Sequence, residues 1–176
     1  MRAEGDIVLA GVVGAGLVSR LLEEHRDKLE ERFPASFLEQ ARVTARFVID
    51  GEAFKEVLRS GPAGRSAFEM TGQGGIFAAL WNLAEREKAG LVTAFDRIPI
   101  PQELIEICNY FDADPYTRDD CGSAVIAARD GRALAEKLRE AGIPAYIIGE
   151  MNDTNARVVM RGATSCYLNK PERGTR

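Results

Sequence analysis

The sequence predicts an α+β fold in which a mixed β-sheet is covered by helices on both faces. Three observations carry this. Residues 7–13, 124–128 and 145–149 are continuous apolar runs, the pattern of strands buried on both faces. Between them, apolar residues recur at the spacing of amphipathic helices. The closing strands expected at 145–149, 157–161 and 164–168 follow one another without helices, which argues against a doubly wound parallel sheet.

The elements follow in order. Residues 7–13 are rich in β-branched side chains and end at Gly14 and Gly16, so a strand runs into a turn. Leu17, Leu21 and Leu29 share a face opposite Glu23, Glu24, Arg26 and Lys28, which predicts one helix from 17 to Phe33, ended by Pro34. Ser36 and Glu39 have the spacing of a capping box at the head of a second helix in which Phe37, Ala41 and Ala45 or Thr44 recur at helical spacing. A shorter helix is expected over 52–58, and the glycine and proline content of 60–64 marks a loop. A short strand at 66–70 leads into the glycine-rich stretch Thr71, Gly72, Gln73, Gly74, Gly75. Ile76, Leu80, Leu83 and Ala84, widened by Phe77 and Trp81, then line one face of a helix.

Residues 91–97 read as a strand, and Pro99 and Pro101 introduce a helix bearing Leu104, Ile107, Cys108 and Phe111. A polar loop over 112–122 precedes the apolar run at 124–128. Asp130 is placed to cap a helix over 132–141 that Gly142 stops. From Asn169 the chain is charged and expected to fray. One domain over 1–170 with a charged tail at 171–176 accounts for the whole length.

Composition excludes several classes of function. The net charge is −4, with 23 Lys and Arg against 27 Asp and Glu, and this gives no basic footprint for a nucleic-acid backbone. No segment has the uncharged length of a membrane span, and the start of the chain lacks a targeting pattern, so a cytoplasmic location is expected. Cys108, Cys121 and Cys166 are odd in number and lack CxxC spacing, so neither a disulfide framework nor a zinc site is implied. Cys108 falls in a helical apolar pattern and reads as core. Cys121 lies beside Gly122 in a polar loop, where burial statistics favour an inert role.

Four blocks carry a resemblance: Gly74-Gly-Ile-Phe-Ala-Ala-Leu-Trp-Asn-Leu-Ala-Glu85, Ile98-Pro-Ile-Pro-Gln-Glu-Leu-Ile-Glu-Ile-Cys108, Asp119-Asp-Cys-Gly-Ser123 and Leu138-Arg-Glu-Ala-Gly-Ile-Pro-Ala-Tyr-Ile-Ile-Gly149. In order and spacing they resemble the C-terminal domain of the AIR synthase-related (phosphoribosylaminoimidazole synthetase-like) superfamily. Gly5-Asp-Ile-Val-Leu-Ala-Gly11 resembles the strand that opens it. That superfamily includes AIR synthase, formylglycinamidine ribonucleotide synthase, selenophosphate synthetase, thiamine-monophosphate kinase and a hydrogenase maturation factor, the last being the nearest branch. The resemblance implies a three-layer α/β/α domain with a mixed sheet and partial ferredoxin-like topology. It also implies that the N-terminal domain, which in the family forms the dimer core and most of the ATP site, is not among these residues.

The strongest candidate site is the stretch Thr71, Gly72, Gln73, Gly74, Gly75. Glycines let backbone N–H groups converge, and the N-terminus of the following helix adds about half a positive charge, so the turn suits a phosphate. The competing structural reading is that these glycines only supply positive φ and close packing. Relatives that transfer phosphoryl groups read Asp-x-Thr-x-Gly-Gly here; aligned on Gly74 and Gly75, Met70 stands at the Asp position and Gly72 at the Thr position. The resemblance therefore implies anion binding without the catalytic acid, unless Glu69 or Thr71 serves after a one-residue shift. Ser123, in the small-residue turn after Gly122, is a candidate neighbour of the same cleft.

Asp112, Asp114, Asp119 and Asp120 invite a metal reading, but the spacing lacks the glycine and closing Glu of a calcium loop, and a solvated loop is the better account. No metal ligand set is assigned. His25, the only histidine, sits among charges with no nucleophile partner in the pattern, so no triad is assigned and the catalytic residues stay unknown. The hydrogenase maturation factor ends in a cysteine that carries its thiocarboxamide, whereas here Cys166 is followed by a charged tail, so that chemistry is not carried over. Two functional readings remain. One is a phosphate- or nucleotide-binding or regulatory domain without catalysis alone. The other is a subunit of an ATP-dependent phosphoryl-transfer or ring-closing enzyme completed by a separate ATP-binding chain. The sequence does not name the ligand or cofactor; ATP or phosphate, held through a partner, is the candidate, and a homodimer or a separate ATP-binding chain is the expected partner.

Overall fold

A computed structural model describes residues 4–47, 49, 51–60 and 67–171. The elements are β1 (Gly5–Gly11), α1 (Ala15–Glu24), α2 (Arg26–Arg32), α3 (Ala35–Ala45), α4 (Gly51–Ser60), β2 (Ala67–Met70), α5 (Gly75–Glu87), β3 (Gly90–Ala94), α6 (Gln102–Tyr110), β4 (Ser123–Ala128), α7 (Gly131–Glu140), β5 (Ala145–Asn152), β6 (Arg157–Arg161) and β7 (Thr164–Tyr167). The seven strands form one sheet in the order β2-β4-β1-β5-β3-β6-β7. Neighbours are antiparallel except β3 and β6, which run parallel, so the sheet is mixed as expected.

The three apolar runs read as interior strands occupy the interior of that order. Alternate residues of β1 enter different cores: Ile7 and Leu9 pack with Ile76, Leu80 and Leu83 of α5, while Val8 and Ala10 pack with Phe54 of α4 and Leu134 and Leu138 of α7. In β4, Val125 joins the first core and Ala124 and Ile126 the second. A strand buried on both faces has no polar positions to alternate, which is why the sequence shows an unbroken run. Helices therefore cover both faces of the sheet, in three layers. β5 is central too, but Tyr146 stays 41% exposed on it.

A third cluster, of α1, α2, α3 and α6, is built from Leu17, Val18, Leu29, Leu38, Leu104 and Ile107. The single helix expected from 17 to 33 is two helices, divided at His25, whose backbone (φ −126°, ψ 34°) serves both as the end of α1 and the start of α2. The imidazole stacks on Phe111 with ring centroids 4.6 Å apart, a tertiary contact that the local periodicity does not contain. The capping box at Ser36 is likewise corrected. Pro34 (φ −61°, ψ 149°) precedes the first turn of α3, and no side-chain cap forms there. Residues 95–97 form a 3₁₀ turn instead of prolonging β3. The cap on α7 is as expected: Asp130 accepts from the Ala133 N–H at 2.9 Å, and Gly142 (φ 78°) follows the helix. The loop expected at 60–64 falls mostly outside the described residues. No helix among the described residues is long and apolar enough to cross a membrane.

Candidate functional site

The antiparallel register of β2 against β4 places Met70 opposite Ala124, and this brings the next residues, Thr71 and Ser123, together. The Thr71 N–H donates to the Ser123 carbonyl at 2.9 Å, and the Thr71 hydroxyl donates to that carbonyl at 3.0 Å. The two hydroxyl oxygens lie 3.1 Å apart. Both residues are buried. Two stretches 52 residues apart in sequence thus meet, with the hydroxyls of Thr71 and Ser123 bracing the base of the turn.

The turn rises from that base to α5. Gly74 (φ 79°, ψ 11°) precedes the helix, and Gly75 (φ 63°) begins it. Both conformations are left-handed, where glycine alone is unstrained. A Cβ on Gly75 would also lie 2.6 Å from the Tyr116 carbonyl oxygen and 2.8 Å from that of Arg118. The glycine therefore lets the 114–120 loop close over the helix, and the Phe77 N–H donates to the Tyr116 carbonyl at 3.2 Å. Gly72 differs: its φ lies outside the left-handed range and a Cβ there meets nothing within 4 Å. Gln73 is exposed. The N–H groups of Gly72 and Gln73 have no acceptor among the described residues.

Two consecutive carboxylates hold this region. Asp119 accepts from the Gly74 N–H at 3.0 Å. Asp120, 3% exposed, accepts from the N–H groups of Gly14 at 2.8 Å, Gly16 at 2.9 Å and Leu17 at 3.1 Å. Gly14 (φ 85°) stands at the head of α1 as Gly74 does at the head of α5, so each acid neutralises the positive end of one helix. Burial pushes the Asp120 carboxyl above its ordinary range, and the amides of Gly14, Leu17, Cys121 and Gly16 pull it back down.

The acidic loop is thus tied into the fold more closely than the solvated-loop reading expects. Asp114 accepts from the Tyr116 N–H and the Thr117 hydroxyl, each at 2.9 Å, and only Asp112 is left as a simple surface acid with φ 52°. No three of His, Cys, Asp and Glu converge as metal ligands among the described residues. Glu69 is paired with Arg86 at 2.6 Å, and the Thr71 hydroxyl is spent on Ser123, so neither stands free in the place of the family's Asp. Met70 is 45% exposed at the end of β2. Cys108 is fully buried, and its thiol is pushed up to about 12, first by burial and then by Asp120 and Asp114. Cys121 and Cys166 are exposed.

Sequence reasoning missed Asp120. A helix cap is sought within a few residues of the helix it serves, and this one lies 103 to 106 positions away. It also passed over Arg20 and Arg118, which line a cleft of about 430 Å³ between α1 and the 111–119 loop.

Comparison with known proteins bears on the fold and the family. A putative hydrogenase expression/formation protein of Methanocaldococcus jannaschii is 26% identical over 162 residues, covering 89% of this chain and 45% of that protein. E. coli HypE superposes with a TM-score of 0.76 at 19% identity, over 98% of this chain and 52% of its own. In a HypE–HypF complex the TM-score is 0.71 at 22% identity, over 96% and 53%. Thiamine-monophosphate kinase from Stenotrophomonas maltophilia K279a gives 0.67 at 24%, over 93% and 52%. At these identities the structures establish the shared fold, and the chain spans about half the length of the proteins it matches. Residues 7–161 match the family described as AIR synthase related protein, C-terminal domain, and the chain belongs to that family.

Proposed function

We propose that these residues form a ligand-binding module that takes up a phosphate-bearing molecule at the 71–75 turn and does not turn over ATP by itself. The observation that supports the reading best is the pair of N–H groups on Gly72 and Gln73 that have no acceptor among the described residues, in an open turn ahead of a 13-residue helix. Backbone amides at a helix N-terminus suit an anion. Thr71 and Ser123 are bracing residues in this reading, while Gly72, Gln73 and Gly74 form the contact surface, with Gly75 setting the close approach of the loop. Asp119 already takes the Gly74 N–H and places a negative charge beside any bound phosphate, so binding is modest.

The silent chemistry follows from what the turn presents. Phosphoryl transfer rests on positioning and on metal ions held by carboxylates. Here Met70 occupies the position of the family's acid, and Glu69 is bound to Arg86. Catalysis in this reading needs a second polypeptide, and the similar HypE–HypF structure is itself a complex of two different proteins.

The test is calorimetric titration of the chain with inorganic phosphate and with ATP, beside the variant Gly72→Leu. Gly72 accepts a side chain without strain, whereas one at Gly74 meets the Ala78 Cβ at 2.8 Å. Leucine over the free amides should weaken phosphate binding about tenfold without changing the melting temperature. Equal affinity in the two proteins would refute the site.

A further inference from the structure

The cleft between α1 and the 111–119 loop is both basic and partly apolar. The molecule carries a net charge of −4, yet this cleft gathers Arg20, Arg118 and His25 around about 430 Å³, with Leu21 and Phe111 supplying apolar wall. Neither arginine takes part in an ion pair among the described residues. Arg20 is held in place by donating through Nη2 to the main-chain carbonyl of Asp119, which leaves its other N–H groups to be matched. Arg118 is exposed, and its side chain makes no hydrogen bond to a described residue. The one acid in the lining, Asp119, has a carboxylate oxygen committed to the Gly74 N–H. His25 lies flat against Phe111, so its ring is fixed at the apolar side of the cleft.

We propose that this cleft is a second binding site, for a small molecule with an oxyanion head, phosphomonoester or carboxylate, and a compact apolar or aromatic body. Two guanidinium groups offer paired N–H donors that match the oxygens of such a head. The body lies on Leu21 and the Phe111 ring, removing apolar surface from water. An anion without a body gains only the first contribution and binds more weakly. This inference is independent of binding at the 71–75 turn, which uses backbone amides of another segment.

His25 is the only histidine, so its Hε1 proton is a single reporter lining the cleft. The experiment titrates the chain with phenyl phosphate, benzoate and inorganic phosphate while following that resonance. It is repeated on Arg118→Glu, a surface change whose folding is checked by thermal melting, and on Gly72→Leu. Phenyl phosphate should shift the resonance saturably and more tightly than inorganic phosphate. Benzoate should do so if a carboxylate head suffices, and its failure would narrow the ligand class to phosphomonoesters. Arg118→Glu should weaken the effect about tenfold or more, and Gly72→Leu should leave it within about twofold. No saturable shift with phenyl phosphate, the same affinity in Arg118→Glu, or loss in Gly72→Leu would each overturn the proposal.

Discussion

Replacing Asp120 tests the physical core of the account. Its carboxylate accepts three backbone hydrogen bonds at the head of α1, from Gly14, Gly16 and Leu17. Asp120→Ala removes all three acceptors. Gly16 keeps a partner, because its N–H also reaches the Cys121 carbonyl at 3.2 Å, but those of Gly14 and Leu17 lose theirs. Loss of a helix cap costs about 1 kcal/mol, and each amide left unsatisfied in a buried place costs about 1–3 kcal/mol. Relief from holding a carboxylate away from water offsets part of this, so the net cost is roughly 2–4 kcal/mol. For a chain of this size that lowers the melting temperature by about 5–15 °C. Asp120→Asn keeps one oxygen acceptor but sets an amide donor against one of the N–H groups, so it falls between wild type and Ala. Because burial raises the folded pKa of Asp120 above its unfolded value of 3.8, its pH-dependent contribution is fullest below 3.8 and is lost as pH rises through the folded pKa. Asp120→Ala should remove that slope from stability measured by urea unfolding at several pH values. An Ala variant within about 0.5 kcal/mol of wild type would refute the reasoning.

Other consequences are directly measurable. In the native protein a thiol reagent near pH 8 should modify Cys121 and Cys166 and spare Cys108, with the third thiol appearing only on denaturation; rapid labelling of all three would contradict its burial. Since the Cys108 thiol is raised to about 12 from 9.0, its contribution is whole below pH 9 and fades as pH climbs towards 12, so stability should fall over that alkaline range. Asp119→Asn keeps an oxygen for the Gly74 N–H and removes a charge, which should tighten phosphate binding by up to about fivefold, read by calorimetry; weaker binding would show that the carboxylate helps the site. Leu80→Ala, in the core between α5 and the sheet, should cost about 2–5 kcal/mol in urea unfolding.

The fold was legible where local pattern and tertiary environment agree. β1 and β4 are apolar without interruption because each contributes to two cores, and α7 carries its own cap and stop in Asp130 and Gly142. It was less legible where a distant contact decides the local shape. His25 interrupts a helical pattern that reads as continuous, beside the Phe111 ring packed against it. The helix expected to be capped by Ser36 begins one residue earlier, at Ala35, with Pro34 before its first turn. At the candidate site, the glycine-rich turn and the neighbouring Ser123 are candidates from sequence and from family resemblance, and the structure brings Ser123 against Thr71 at the base of the turn. The roles of Asp119 and Asp120 could not, because they reach helices about 45 and 104 residues away. An acidic loop with no local pattern looks the same whether it is solvated or clamps two helix ends.

Steady-state ATP hydrolysis by the purified chain tests most directly the central claim, that these residues bind a phosphate-bearing ligand without turning it over alone. The account predicts phosphate release indistinguishable from buffer, in the same preparation that binds inorganic phosphate and loses that binding in Gly72→Leu. Turnover well above background by the chain alone, abolished by Gly72→Leu, would contradict it and make the 71–75 turn part of an active centre.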